Sequence, residues 1–274
     1  DACTLRISKL DEKILKHCSK LKALSRHGVG SDNVDLNFIK KKNISLLITA
    51  TANSLAVAEH VLSMFLSLSK SISSYDAEVR KGNFKSNADK IQTFELLNKN
   101  ILIVGFGRIG KKLISRCLAF DTNVYIYDPY VDEKIIKKFG GIKVDKIEDG
   151  LKKADYVSLH MPLTNETKNL INYSVLKTMK KNSIIVNTAR GGIINELDLE
   201  KALNEGLIFG AALDVFSKEP VEKDNPLLKN RKVILSPHSA TFTDDCTSRM
   251  GIETTKNIIE FFENKLDKSK IVKL

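Results

Sequence analysis

The chain has 274 residues, with 44 Lys+Arg against 33 Asp+Glu and a net charge of +11 at pH 7. With 42% hydrophobic residues, 14 glycines and 5 prolines, it is too apolar for a disordered chain and too poor in Gly and Pro for a fibrous one. The lysines run from Lys9 to Lys273 without clustering, so the charge reads as a solvated surface, and no nucleic-acid partner is expected. The four cysteines (Cys3, Cys18, Cys117, Cys246) lie far apart and form no C-x-x-C pair. No metal site is therefore expected, and a reduced, cytoplasmic compartment is. No basic-then-apolar leader opens the chain. The longest apolar run, Leu55 to Leu68, is interrupted by Glu59, His60 and serines. It falls short of the roughly 18 apolar residues that argue a membrane span and reads as a buried helix, so no membrane partner is expected.

In chain order, Ala2–Leu5 is strand-like, a helix lies near Asp11–His17, and Leu21–Leu24 is a strand. A helix near Val34–Lys40 and a strand at Ser45–Ile48 follow, then the helix Leu55–Leu68. Residues 72–98 are polar and read as an irregular connection between domains. Strands are then predicted at Ile101–Val104, Val124–Tyr127, Tyr156–Leu159, Ser183–Val186, Leu207–Leu213 and Val233–Leu235. Helices are predicted after the first of these through Leu118, near Asp132–Phe139, near Ser174–Met179 and at Glu196–Asn204, with an amphipathic helix at Asp244–Glu263. Strands alternating with helices predict an α/β fold whose parallel sheet is covered on both faces.

Two constellations carry chemistry. Gly105-Phe106-Gly107-Arg108-Ile109-Gly110 follows a strand and opens a helix, and Asp128 ends the next strand. That context fits the dinucleotide fingerprint. The first glycine makes the turn, the second lets the backbone approach a pyrophosphate at the helix N-terminus, and the third lets the helix pack on the strand. Asp128 suits a ribose diol and would repel a 2′-phosphate, so NAD is expected rather than NADP.

Arg190, Asp214, Glu219 and His238 each follow a predicted strand, and parallel strands deliver such residues to one edge, where ligands bind. Taken singly, each has a plain reading as a surface cation, a turn cap, a loop charge or a turn residue. Taken together, they match hydride-transfer chemistry. An Arg fork holds a substrate carboxylate near the carbonyl. His238 exchanges the hydroxyl proton, because imidazole titrates near neutral pH. Glu219 fixes its tautomer, and Asp214 is left for the nicotinamide carboxamide.

Asn187-Thr188-Ala189-Arg190-Gly191-Gly192, Leu213 to Pro220, Ser236-Pro237-His238-Ser239, His27 to Asp35, Val57-Ala58-Glu59-His60 and Leu159 to Thr164 resemble the D-isomer-specific 2-hydroxyacid dehydrogenases over essentially the whole chain. The resemblance implies a Rossmann-type doubly wound domain at 72–240 and a smaller flavodoxin-like substrate domain at 1–71 and 241–274, with ligands in the cleft between them. It implies Arg190, Glu219 and His238 as the catalytic set. For NAD it implies the glycine motif with Arg108 and Ile109, Asp128, His160, Thr188, Ala189 and Asp214. It places Val29, Gly30, Asn53 and Arg6 on the substrate. His60, on the apolar helix Leu55–Leu68, reads as structural. It further implies a homodimer acting on a small anionic 2-hydroxy or 2-keto acid. The expected substrate is 3-phosphoglycerate, with hydroxypyruvate, glyoxylate or a longer D-2-hydroxy acid as alternatives. An NAD-sensing corepressor-like binding role is the remaining reading. The family's pattern departs at Thr49-Ala50-Thr51-Ala52-Asn53, where a Pro-Gly-like pair is usual, and at Asn98, where Gly is usual. Family members also carry a strand–helix–strand portion before the position of Asp1, so a longer parent chain is expected. Regulation through a further C-terminal domain is not expected.

Overall fold

The computed structural model describes residues 1–84 and 90–274; residues 85–89 of the expected 72–98 connection lie outside the described residues. The chain divides into two compact units, Asp1–Ala56 with Thr241–Leu274, and Val57–Ala240.

The second unit is built on seven parallel strands. They are β4 (Asn100–Val104), β5 (Asn123–Tyr127), β6 (Ile142–Lys143), β7 (Tyr156–Leu159), β8 (Ile184–Asn187), β9 (Gly210–Leu213) and β10 (Val233–Leu235). Their order is β10-β9-β8-β7-β4-β5-β6, so the winding reverses between β4 and β7. The apolar run of β4 explains the layering, because successive side chains point to opposite faces. Leu102 and Val104 join one core with Val157, Leu159 and Ile185. Ile101 and Ile103 join the other with Val124, Ile126 and Val186.

Helices α7 (Ile147–Lys153), α8 (Tyr173–Leu176) and α9 (Glu196–Asn204) cover the first face through Ile147, Leu151, Leu176, Leu199 and Leu203. Helices α3 (Ser54–Ser69), α5 (Arg108–Leu118) and α6 (Glu133–Lys138) cover the second through Val61, Phe65, Leu113, Ile114 and Ile136. This is the Rossmann-type doubly wound arrangement. The boundary expected at 71/72 lies in the turn after α3, whereas packing divides the chain within the first turn of that helix. No single helix among the described residues is long and apolar enough to cross a membrane. Instead, α3 buries Val61, Met64, Phe65 and Leu68.

The first unit has three parallel strands, β1 (Ala2–Leu5), β2 (Ala23–Arg26) and β3 (Ser45–Ile48), in that order. Leu5, Leu24 and Leu46 share one face with Leu15 of α1 (Glu12–Leu15) and with Phe38 and Ile39 of α2 (Leu36–Lys41). The long helix α10 (Asp244–Phe262) packs on β2 and β3. Polar groups tie it there. The buried Ser25 hydroxyl donates to Thr254 O at 2.8 Å, and Asn257 Nδ2 donates to Ile48 O at 3.0 Å.

Several expectations shift. β2 begins two residues later than the apolar run Leu21–Leu24 and continues through Ser25 and Arg26, because its backbone register is set by Ala2–Leu5 and Ser45–Ile48 on either side. The Leu207–Leu213 run is a strand from Gly210 only, since Leu207 caps the turn after α9, its amide bonding Ala202 O. Residues 72–98 are not irregular throughout, because Ile72–Arg80 forms α4. The short β6 and the amphipathic α7 carry too few apolar residues to have been picked out. Asn98, in place of the family's Gly, adopts φ +59, a left-handed conformation that Asn tolerates better than most residues.

Phe65 is fully buried and meets Tyr156 edge-to-face at 5.1 Å. Burial pushes the Tyr156 phenol above its usual range, and its partner is the buried Ser69 hydroxyl, 2.9 Å away. Replacing Phe65 by Ala should cost about 3–5 kcal/mol of stability. Urea unfolding followed by circular dichroism checks this, and a loss below about 1 kcal/mol would contradict the packing.

Candidate active site

All seven strands of the second unit run parallel, so the residues after each strand reach one edge of the sheet. After β4 comes the glycine loop, opposite the loop after β7. Gly105 has φ +97, and a Cβ there would meet His160 O at 2.8 Å; a Cβ on Gly110 would meet Gly105 O at 2.5 Å. Neither position tolerates a side chain. Gly107, the first residue before α5, is exposed, and a Cβ there would meet nothing within 4 Å. The loop is held from β5. Asp128 Oδ2 accepts from Phe106 N at 2.8 Å, and its Oδ1 accepts from Tyr130 N at 2.9 Å.

His160 donates its own amide to Val104 O at 2.7 Å, which closes the β4–β7 switch point. Its Nε2 meets the Ser158 hydroxyl at 2.8 Å, and its Nδ1 is buried without a partner. Burial pushes this imidazole down to about 3, so it is neutral at pH 7.

After β8, the side chain of Asn187 (1% exposed) organises the turn to Arg190. Its Nδ2 donates to Arg190 O at 2.8 Å and its Oδ1 accepts from Ala189 N at 3.0 Å. The Arg190 guanidinium donates to Ala189 O at 2.7 Å. The Thr188 hydroxyl oxygen is buried without a partner. Gly191 packs directly on the β9 loop, since a Cβ there would sit 1.8 Å from Phe216 O. In that loop, Phe216 N donates to Glu219 Oε1 at 3.0 Å, leaving Oε2 for His238 Nδ1 at 2.8 Å. Glu219 and His238 are 37% and 49% exposed. A pair this exposed orients its members more than it stabilises the fold.

Asp214 is 1% exposed, and three hydrogen bonds from the loop carrying His238 converge on it. They come from Ser236 Oγ (2.6 Å), Ser239 N (2.8 Å) and Ala240 N (3.0 Å). His60, on α3, places its Nε2 3.1 Å from Ser236 Oγ. Sequence reasoning missed Asn187 and Ser236. The available signal was a polar residue closing an apolar strand and a hydroxyl two residues before the histidine.

In the first unit, Gly28 has φ +135 and donates its amide to Thr49 Oγ1 at 2.8 Å. Arg26 stiffens the loop that holds Val29 and Gly30 by donating Nε to Gly30 O at 2.7 Å and Nη1 to Arg6 O. Arg6 is exposed, with its guanidinium 5.7 Å from the centre of the Phe242 ring. Asn53 is half-buried just before α3.

The sheet edge suits a dinucleotide. Gly107 leaves room for a pyrophosphate at the N-terminus of the eleven-residue α5. The buried Thr188 oxygen and His160 Nδ1 lack partners. Asp128 ends β5, where a ribose diol needs an acceptor.

Residues 62–240 match the family model of the D-isomer specific 2-hydroxyacid dehydrogenase, NAD binding domain. The chain is 36% identical to D-3-phosphoglycerate dehydrogenase of Methanocaldococcus jannaschii, over 94% of this chain and 49% of that protein. It thus spans about half the length of that relative. It is 33% identical to glyoxylate reductase of Korarchaeum cryptofilum, over 92% of this chain and 76% of that protein. The fold superposes on D-lactate dehydrogenase from Aquifex aeolicus, complexed with NAD and lactic acid, with a TM-score of 0.87 and 31% identity, over 99% of this chain and 86% of that one.

The glycines separate structure from binding. Gly107→Ala should leave the thermal unfolding midpoint within a degree or two while weakening NAD binding roughly tenfold or more in titration calorimetry. Gly110→Ala should lower the midpoint by several degrees through its clash with Gly105 O. Equal effects of the two substitutions on stability would contradict the geometry.

Proposed function

The chain belongs to the D-isomer specific 2-hydroxyacid dehydrogenases, and from that premise we propose that it interconverts a small D-2-hydroxy acid and its 2-keto acid with NAD. The observation that carries this reading is the 2.8 Å pair of His238 Nδ1 and Glu219 Oε2 on the sheet edge that also bears Arg190 and the glycine loop. NAD, when bound, takes up the hydride that leaves the substrate carbon. In the oxidation direction, His238 Nε2 takes the hydroxyl proton. Glu219 keeps the ring proton on Nδ1, which frees Nε2 as the base, and faces the imidazolium once it forms. The planar Arg190 guanidinium pairs with the substrate carboxylate and draws charge from the neighbouring oxygen. Neutral His160, Thr188 and Ala189 contribute to the cofactor wall and Asp128 takes the ribose, whereas Asp214, expected at the nicotinamide, is buried and spends its carboxylate on the loop that carries His238.

The first unit supplies the rest of the substrate contacts in this reading. The backbone of Val29 and Gly30, held by Arg26, receives the carboxylate, and Asn53 lines the substrate side. Arg6 faces the distal end. The substrate favoured is 3-phosphoglycerate, oxidised to 3-phosphohydroxypyruvate. The M. jannaschii relative supports this by its name, and Arg6 by its charge. The second reading is reduction of glyoxylate or hydroxypyruvate, favoured by the Korarchaeum relative, of which the chain covers the larger share. The protein is read as a cytoplasmic homodimer. The exposed Ile72 (56%), Val79 (55%) and Phe84 (76%) offer apolar surface of the kind that association buries, which sedimentation velocity would register as a dimer-sized species.

A spectrophotometric panel of 2-hydroxy and 2-keto acids with NAD and NADP tests the reaction. His238→Asn should lower kcat by about 10²–10⁴-fold with NAD affinity nearly unchanged. Because His160 stays neutral down to about 3, it adds no titration near pH 7 to the rate profile. Near-normal turnover in His238→Asn would sink the assignment. Arg6→Ala should raise the apparent KM for 3-phosphoglycerate by about tenfold and leave that for glyoxylate alone; an unchanged KM removes Arg6 from the site.

A further inference from the structure

His238 has φ +52, a left-handed conformation that is uncommon away from glycine and persists where its surroundings hold it. Beside the backbone bonds Ser236 N to Leu213 O (2.9 Å) and His238 N to Ser236 O (3.1 Å), the side-chain hold on this stretch centres on one buried carboxylate. Asp214 holds the chain on both sides of His238, through the Ser236 hydroxyl two residues before it and the amides of Ser239 and Ala240 just after it. A serine hydroxyl has one proton, and at 2.6 Å from a buried carboxylate that proton goes to Asp214 Oδ1. The Ser236 oxygen is then an acceptor, and the donor facing it is His60 Nε2 at 3.1 Å, itself 3.7 Å from Asp214 Oδ1. The network therefore assigns a proton to His60 Nε2.

We infer that His60 and Ser236 are positioning residues for His238, forming with Asp214 a hydrogen-bonded chain from α3 to the β10 loop that keeps the His238 ring on Glu219. The sequence alone gives His60 a structural place on a buried helix. The geometry gives it an aim, because its ring is the remaining donor that satisfies the Ser236 oxygen. Without that donor, the Ser236 hydroxyl is free to turn from Asp214. One of the three ties from Asp214 to the strained loop then slackens, and the His238 ring, in a pair more than a third exposed at both members, shifts against a Glu219 that Phe216 N holds in place. Displacement of a reacting group by about 1 Å is enough to cost roughly 10²-fold in rate.

The kinetic arm of the test rests on the dehydrogenase reading, and the spectroscopic arm does not. Long-range 1H–15N NMR on the whole chain reports the tautomer of each of the five histidines. In the parent chain and in His60→Gln, which keeps a donor at the Nε2 position, His238 should carry its proton on Nδ1. In Ser236→Ala and His60→Leu, the His238 signal should move towards a mixture of tautomers. In turnover assays, Ser236→Ala and His60→Leu should lose about 10- to 100-fold in kcat with the KM for NAD within about twofold, and His60→Gln should restore most of the loss. An unmoved His238 tautomer in both Ser236→Ala and His60→Leu overturns the inference, and so does an equal loss of kcat in His60→Gln and His60→Leu. If the parent chain turns over no 2-keto acid, the dehydrogenase reading fails while the tautomer measurement still decides the role of His60 and Ser236.

Discussion

The parallel alignment of the seven strands is the constraint on which the rest of the second unit depends. A parallel sheet has to be covered on both faces, and β4 meets that demand with Ile101 and Ile103 on one side and Leu102 and Val104 on the other, all at 0–1% exposure. The same alignment sends every strand's carboxyl end to one edge. The glycine loop, His160, Arg190, Asp214 and His238 are therefore gathered by topology before any of them interacts. The reversal between β4 and β7 opens the edge where Gly105 meets the His160 backbone.

Gathering is not orienting. At each loop, a buried or half-buried polar side chain at a strand end bonds to backbone amides and sets the turn. Asp128 holds Phe106 N and Tyr130 N. Asn187 holds Ala189 N and Arg190 O. Asp214 holds Ser239 N and Ala240 N. Each carboxylate or amide replaces the water that the loop amides would otherwise need, and removing it would leave those donors unsatisfied at about 1–3 kcal/mol each. Glu219 extends the pattern. One oxygen is spent on Phe216 N and the other on His238 Nδ1, so a loop contact and a functional contact share one carboxylate. The first unit uses a cation in the same way, with Arg26 binding the carbonyls of Gly30 and Arg6 and stiffening the turn that bears Val29 and Gly30.

Legibility followed physical range. The strands with dense apolar runs, β4, β5, β7 and β8, were visible within a residue or so, because a doubly buried strand must be apolar nearly throughout. β6, two residues long, and α7, with Ile147 and Leu151 as its main apolar contacts, left too weak a pattern. α4 was hidden because it buries nothing and so has no apolar stripe to read. Among the site residues, Gly105 and Gly110 were readable from their motif, since their requirement is local and steric. The chain His60–Ser236–Asp214 was not, because its members are separated by up to 176 positions and nothing local marks them as partners.

The sequence by itself determined the α/β class, the parallel sheet, the glycine loop with its acidic partner and the set of ionisable residues at strand ends. These depend on period-two and helical apolar patterns and on side chains whose chemistry is fixed by type. Tertiary structure decided which of those groups touch. It set Glu219 on His238, turned the Asp214 carboxylate inward onto the loop that carries His238, and gave His60 of α3 a partner in the loop after β10. Hydrogen bonds between side chains distant in sequence depend on distances of a few tenths of an ångström, and no local pattern carries that information.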